Sequence, residues 1–288
     1  MNKKRVHKGL IIAVVLVTVL LSAGLFFLFG DLHSENGVLF VNIKKSQGDI
    51  HSGDLVLVNY ENEYDFSHSP KIVSLKSKKN SAYSLRNGNE KLEKDTVKAL
   101  NKMLKKFKRE TGIGTVCVNS AYRTYDEQAT IFENRINEYG YDGASVLASE
   151  AGFSEHHTGL ACDLILLNDD GTTAAIGSIS EYTWFTENAD DYGFIIRYPE
   201  GKTHITKISN EPWHFRYIGK AHAKVVSEYG FCLEEYIDYI KDYSHKSPLV
   251  CDGYSIYYCE GTKVTVPIFK SYTISGNNID GFVISYKN

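Results

Sequence analysis

Two short stretches hold side chains able to bind a metal and move protons. "FSEHHTGLACDL" (residues 153–164) offers His156, His157 and Asp163, and "NEPWHFRYIG" (residues 210–219) offers Glu211 and His214. Histidine and carboxylate groups ligate zinc, and a catalytic zinc takes three protein ligands while keeping one position open for water. Five candidate groups for three positions leave the choice open on residue type alone, and no H-E-x-x-H helix narrows it. The cysteines at 117, 162, 232, 251 and 259 include no C-x-x-C pair, which argues against a zinc knuckle. Cys117 and Cys162 sit in apolar runs, where cysteine behaves as a small buried hydrophobe. Cys251 with Cys259 could staple a short hairpin, although the odd count leaves at least one thiol free.

These groups need elements to aim them. "DLILL", which begins at Asp163, reads as a buried strand, and "WHFRYIG" as a second strand carrying His214. Pro212 cannot join a central ladder, so Glu211 is expected in the turn ahead of that strand. "GTVCVNSAYRT" is a third strand, and Thr124 with Glu127 forms a capping box that starts a helix at once. Arg123 is thereby held at a strand-to-helix junction, facing a cleft. An amphipathic helix is expected over 89–111, with Leu92, Val97, Leu100, Leu104 and Phe107 on one side and Gly112 as its stop. Further expectations are a strand in "DLVLVNYENEY", a short helix ending at Gly193, a strand in "FIIRY" and helical patterning over 218–241 broken at Gly230. Residues 249–288 are rich in Tyr, Val, Ile and Thr and read as a small β appendage, with a hairpin about "EGT". No internal repeat is present.

A chain of 288 residues can hold one large domain or two modest ones. The net charge of −3 and the absence of a basic stripe exclude a nucleic-acid footprint. Lys3, Lys4, Arg5 and Lys8 precede an uncharged stretch from Gly9 to Gly30. That length suits a membrane span of about 20 residues, with the amino terminus inside and the rest outside. An uncleaved anchor is therefore expected, a cleaved signal peptide being the alternative. Residues 31–54 are read as a stalk, 55–243 as the working domain and 244–288 as the β-rich extension.

Taken together, Ser154, His156, Gly159, Ala161 and Asp163 match S-x-H-x-x-G-x-A-x-D, and Glu211, Trp213 and His214 match a following E-x-W-H. With "SAYRTYDEQ" before them and "RYPEGK" between, the chain resembles the VanY-type zinc D-alanyl-D-alanine carboxypeptidases over about residues 55 to 220. These belong to a wider group that includes the VanX dipeptidases and hedgehog-like zinc folds. The resemblance implies an α+β fold with an antiparallel central sheet and flanking helices holding one catalytic zinc, preceded by a transmembrane helix and followed by a small β appendage. It makes His156, Asp163 and His214 the Zn2+ ligands and Glu211 the general base acting on a metal-bound water, and leaves His157 as a neighbour. Arg123 matches the arginine that meets the substrate carboxylate or the charge developing at the carbonyl. Ser154 and Gln128 are candidates for hydrogen bonds to the peptide, while Arg216 and Trp213 belong to packing and support. Cys162 departs from the family's usual small branched residue without touching the ligands, and His204 replaces a commonly acidic residue in a loop expected at the rim of the cleft.

The implied activity is removal of the terminal D-alanine from peptidoglycan stem peptides by a membrane-anchored extracellular monomer. An L,D-carboxypeptidase acting on tetrapeptide stems shares these motifs. A silent wall-binding module is the reading from another class, and a free dipeptidase suits a membrane anchor less well.

Overall fold

The computed structural model describes residues 32–68 and 70–288. The expected anchor therefore lies outside the described residues, among which no helix is long and apolar enough to cross a membrane. The central sheet runs in the order Ser84–Leu85, Val116–Ser120, Ala161–Leu167, His214–Tyr217 and Phe194–Ile196, and Thr173–Ala175 pairs with Ala161–Leu167. Its ladders are antiparallel except that Ser84–Leu85 lies parallel to Val116–Ser120. The wholly antiparallel sheet is corrected at that edge, and the reason is the helix between the two strands. Parallel neighbours need a long crossover connection, and Lys94–Thr111 provides it.

That helix starts at Lys94 instead of 89, because Lys91–Glu93 pairs as a strand with Ile72–Ser74. Its first turn is capped by the Glu93 side chain, which accepts from the Asp95 and Thr96 amides, and Gly112 ends it at φ 78°. Val97, Leu100, Met103, Leu104 and Phe107 pack on Val116, Val118, Cys162, Leu164 and Phe215 from the sheet. One sheet face is thereby buried. Alternation along the strands then sends Asp163 and His214 to the opposite face.

Four further expectations are overturned. The stretch read as a stalk is folded: Val38–Lys44 pairs with Lys263–Pro267, and Phe40, Val41 and Ile50 are core residues. "DLVLVNYENEY" is not a strand in a sheet. Leu55, Val56, Leu57 and Val58 are all buried, and polar groups from elsewhere replace the ladder: the Leu55 amide donates to Ser275 Oγ at 2.8 Å and the Leu57 amide to the Asn277 carbonyl at 3.2 Å. The strands flanking "EGT" do not pair as a hairpin. Tyr254–Glu260 joins Gly281–Lys287, while Lys263–Pro267 crosses to the first strands of the fold. Tyr257, Val264, Val266, Phe282 and Ile284 close a core between these two sheets, which a flat hairpin would leave open. The possible Cys251–Cys259 staple is absent, both thiols being free.

The C-terminal strands are also joined to the body. Ile256 and Val283 share a core with Ala223, Leu233, Tyr236 and Ile237 of the helices Lys220–Tyr229 and Leu233–Ile240.

Candidate active site

His156 sits in a 3-10 turn, Glu155–Thr158, whose first turn is capped by Ser154 Oγ accepting from the His156 amide at 3.4 Å. Gly159 ends the turn at φ 70°. It returns the chain into the strand Ala161–Leu167, where Asp163 and Ile165 face a cavity of about 430 Å³. His214 opens the neighbouring strand and is the direct cross-strand partner of Asp163. Opposed residues on one face of an antiparallel pair lie close together, so two of the three candidate ligands meet by register alone. One atom from each of His156, Asp163 and His214 falls within a 4.8 Å cluster.

The ring nitrogens are sorted by what holds them. His156 Nδ1 lies 2.6 Å from the Ala121 carbonyl and so carries the proton, which leaves Nε2 with its lone pair, buried and without a hydrogen-bond partner. That nitrogen is 3.4 Å from Asp163 Oδ2. His214 Nε2 faces Glu155 Oε2 at 3.4 Å, and its Nδ1 lies 3.0 Å from Asp163 Oδ1. Each ring thus has one nitrogen fixed by an oxygen acceptor and the other turned inward, the arrangement that sets the tautomer of metal-ligating histidines. An orphaned buried lone pair beside a carboxylate and a second imidazole fits a divalent zinc.

The electrostatics agree. Burial and the Arg123 charge hold His156 down to about 4, so it stays a neutral donor. Burial alone would lower His214 as well, but its hydrogen bonds to Asp163 and Glu155 outweigh that and push it up to about 9. Burial raises Asp163 too, yet the surrounding imidazoles keep it well below the usual carboxylate range. The carboxylates that favour a proton on His214 favour a metal cation in its place, and binding that cation releases the proton.

Glu211 lies just before the Pro212–Trp213 turn, as expected, with Oε2 3.7 Å from His214 Nδ1. Burial pushes its carboxyl up to about 7. Arg123 Nη2 is 3.7 Å from Asp163 Oδ2, and both Arg123 and Glu211 line the cavity. Gln128 lines the cavity too and is held at both ends of its amide. Its Oε1 accepts from Arg123 Nη1 at 2.5 Å and its Nε2 donates to the Ser149 carbonyl at 2.6 Å, so it braces the arginine. Ser154 lines the cavity as well as capping its turn, and Trp213 lines it too. His157 points away: its Nδ1 lies 2.9 Å from the Arg123 carbonyl and its Nε2 accepts from the Gly152 amide at 3.1 Å. It pins the junction that carries Arg123. His204 is exposed on the short helix Thr203–Thr206.

Sequence reasoning missed Glu155 and Arg197. Glu155 is completely buried, and its Oε1 accepts from Arg197 Nε at 2.7 Å and from Arg216 Nη1 at 2.6 Å. Arg197 in turn makes a two-pronged contact with Glu234 at 2.7 and 2.8 Å. Burial would raise Glu155, but the two guanidiniums keep it far below its usual range. It therefore remains an anion behind His214. The available signal was the run of charges beside the ligands: Glu155 precedes His156, and Arg216 follows His214 by two residues on the same strand face.

Comparison with known proteins places this constellation. Residues 89–220 match the VanY family model, described as D-alanyl-D-alanine carboxypeptidase. A D-alanyl-D-alanine carboxypeptidase of Enterococcus faecium is 34% identical over 265 residues, covering 88% of this chain and 82% of that protein. The crystal structure of the vancomycin-resistance D,D-dipeptidase VanXYg, in complex with a D-Ala-D-Ala phosphinate analogue, superposes with a TM-score of 0.76 at 31% identity, covering 86% of this chain and 99% of that one. A mutant of the D,D-pentapeptidase VanY from a VanB-type resistance cassette, in complex with Zn(II), gives 0.54 at 30% identity, over 64% of this chain and 98% of that one. On this sequence match across nearly its whole length, the chain belongs to the VanY family of D-alanyl-D-alanine carboxypeptidases.

Proposed function

We propose that the protein is a zinc-dependent D,D-carboxypeptidase that hydrolyses the terminal D-alanine from peptidoglycan stem peptides. The observation that carries this reading is the cavity in which a three-donor cage, His156, Asp163 and His214, faces both a half-buried carboxyl, Glu211, and a half-buried guanidinium, Arg123. Zinc held by that cage supplies a Lewis acid for the scissile carbonyl and makes water a nucleophile near neutral pH. Glu211 takes the proton of the attacking water and hands it to the departing D-alanine amine, for which it needs to stand within about 3 Å of each in turn. Arg123 receives the substrate's terminal carboxylate, its planar fork suited to two parallel hydrogen bonds. Gln128 holds that fork in place, and Ile131, Leu147 and Ile165 give the D-alanine methyls an apolar wall.

The substrate lies on the cell wall, and the uncharged stretch 9–30 after a basic start supports a catalytic domain held outside the membrane by its amino-terminal anchor. We take the working unit to be a monomer.

The test is release of D-alanine from penta- and tetrapeptide stems by the purified protein, with and without a chelator. The expected result is chelator-sensitive release from the pentapeptide. Release from the tetrapeptide alone would make the enzyme an L,D-carboxypeptidase, and chelator-insensitive release would sink the metal mechanism.

A further inference from the structure

His33 and His245 stand 212 positions apart in the chain, yet their Nε2 atoms face each other at 3.3 Å. The first lies on the strand His33–Glu35, and the second in the loop between the helix Leu233–Ile240 and the strand Leu249–Cys251. Neither lines the catalytic cavity. Phe40, a buried core residue, backs both rings: its centre lies 5.9 Å from that of His33 and 5.4 Å from that of His245. Asn36 Nδ2 donates to the Lys246 carbonyl at 3.2 Å and ties the same two segments together beside the pair. The two imidazoles are thus held facing each other by their surroundings. Glu35 comes two residues after His33 on the same strand face, and it lines a cavity of about 480 Å³ together with His245.

We infer that His33 and His245 form a second divalent-metal site, with Glu35 as its carboxylate, which clips the strand His33–Glu35 to the body of the domain. The site stands independently of the carboxypeptidase reading. Zinc–nitrogen bonds of about 2.0–2.1 Å at a tetrahedral angle place two ligating nitrogens about 3.3–3.4 Å apart, the separation found here. A hydrogen bond from a ring N–H is shorter, commonly about 2.9–3.0 Å. The ring centres lie 5.2 Å apart with their planes at 69°, close to the 5.0 Å and 88° of His156 and His214 in the catalytic cage. An ion between the rings needs a lone pair on each Nε2, so each imidazole keeps its proton on Nδ1. Among the described residues, three donors are gathered within 4.8 Å at the catalytic cage alone. Here two nitrogens are set, and Glu35 swings in on its flexible side chain while water from the cavity completes the four ligands. Its charge already bears on His245, against that of the neighbouring Lys246. Two imidazoles and one carboxylate suit zinc or copper and not calcium or magnesium, which take oxygen ligands throughout. An ion held by residues 33 and 245 stabilises the native chain, because the unfolded one offers no such pair.

The experiment titrates Zn2+ in a calorimeter into the full-length protein in detergent, already carrying its catalytic zinc. One further ion per chain is expected, absent from His33→Gln and from His245→Gln and bound about 10-fold or more weakly by Glu35→Gln. Elemental analysis should find the catalytic zinc retained in all three variants. Saturating zinc should raise the melting temperature of the wild type and leave that of H245Q where it was. Modification by diethyl pyrocarbonate, mapped by mass spectrometry, reads the site without any variant: the second zinc should protect His33 and His245 together. A wild type that takes up no further zinc overturns the site. So does uptake undiminished in both histidine variants, or protection of other histidines in place of these two, either of which would make the second ion an adventitious one.

Discussion

Glu211 and His214 are three positions apart, yet their side chains meet at 3.7 Å because the Pro212–Trp213 turn folds one back toward the other. The proposed base is therefore local to one proposed ligand, while the other two arrive from elsewhere. Glu211→Gln keeps the size and hydrogen-bonding shape of the side chain but cannot accept the proton. D-alanine release should fall by about 10²–10⁴, the usual worth of general base catalysis, with zinc content by elemental analysis unchanged. Glu155 acts at one remove, since it touches His214 and not the cavity. Glu155→Gln should weaken zinc about 10- to 100-fold in chelator competition, as loss of an orienting partner does. It should also destabilise the fold by roughly 3–5 kcal/mol in urea titration, because Arg197 and Arg216 stay buried with one anion fewer. Unchanged zinc affinity in a folded E155Q protein would remove Glu155 from the site.

At the scale of elements, the ligand set depends on two strands in register and one tight turn. Gly159 closes that turn at φ 70°, and a Cβ there would come within 2.3 Å of Ile72 Cδ1 and 3.1 Å of the Glu93 amide. Gly159→Ala should thus destabilise the protein by about 1–3 kcal/mol in thermal unfolding and displace His156, lowering zinc content. Unaltered stability and zinc would show that the turn has room to yield. The strands themselves were legible in the sequence: the apolar run "DLILL" and the stretch "WHFRYIG" marked both, and Pro212 marked the turn. What sequence could not reveal was that Asp163 and His214 are direct partners, because register belongs to the pair of strands and not to either one. The helix Lys220–Tyr229 carries a separate consequence. His222 is buried against the Tyr236 hydroxyl at 2.6 Å, and burial holds it down to about 3. Between its unfolded value near 6.5 and about 3 the unfolded chain binds a proton that the native one refuses, so stability falls as pH falls. The slope from this group is about 1.4 kcal/mol per pH unit. Urea unfolding from pH 7 to 4 should show it in the wild type and lose it in His222→Asn.

Among the described residues, the fold is closed where its early strands meet its late ones. Lys263–Pro267 pairs with Val38–Lys44, and Asn278 Nδ2 donates to the carbonyls of Leu57 and Glu63 at 2.8 and 3.0 Å. Arg216 Nη2 donates to the Asp54 and Val56 carbonyls, so the segment held by the C-terminal strands also holds the arginine behind Glu155. Truncation after residue 248 should yield a chain without near-UV circular dichroism. It removes Ile256, Tyr257, Val264, Val266, Phe282, Val283 and Ile284 from the cores, at about 1.5–3 kcal/mol each, more than the 5–15 kcal/mol by which such domains are stable. A truncated protein that keeps its fold would make the C-terminal strands a true appendage. By itself the sequence determined the chemical types, the elements that carry them and the family, because motifs, caps and apolar periods are written within short windows of chain. Tertiary structure alone decided that the segment ahead of Leu55 is core, that the strands about Gly261 part into two sheets, and that Glu155 stands behind His214. Those facts depend on contacts between residues tens to hundreds of positions apart, where burial and hydrogen-bond satisfaction are settled jointly by both partners.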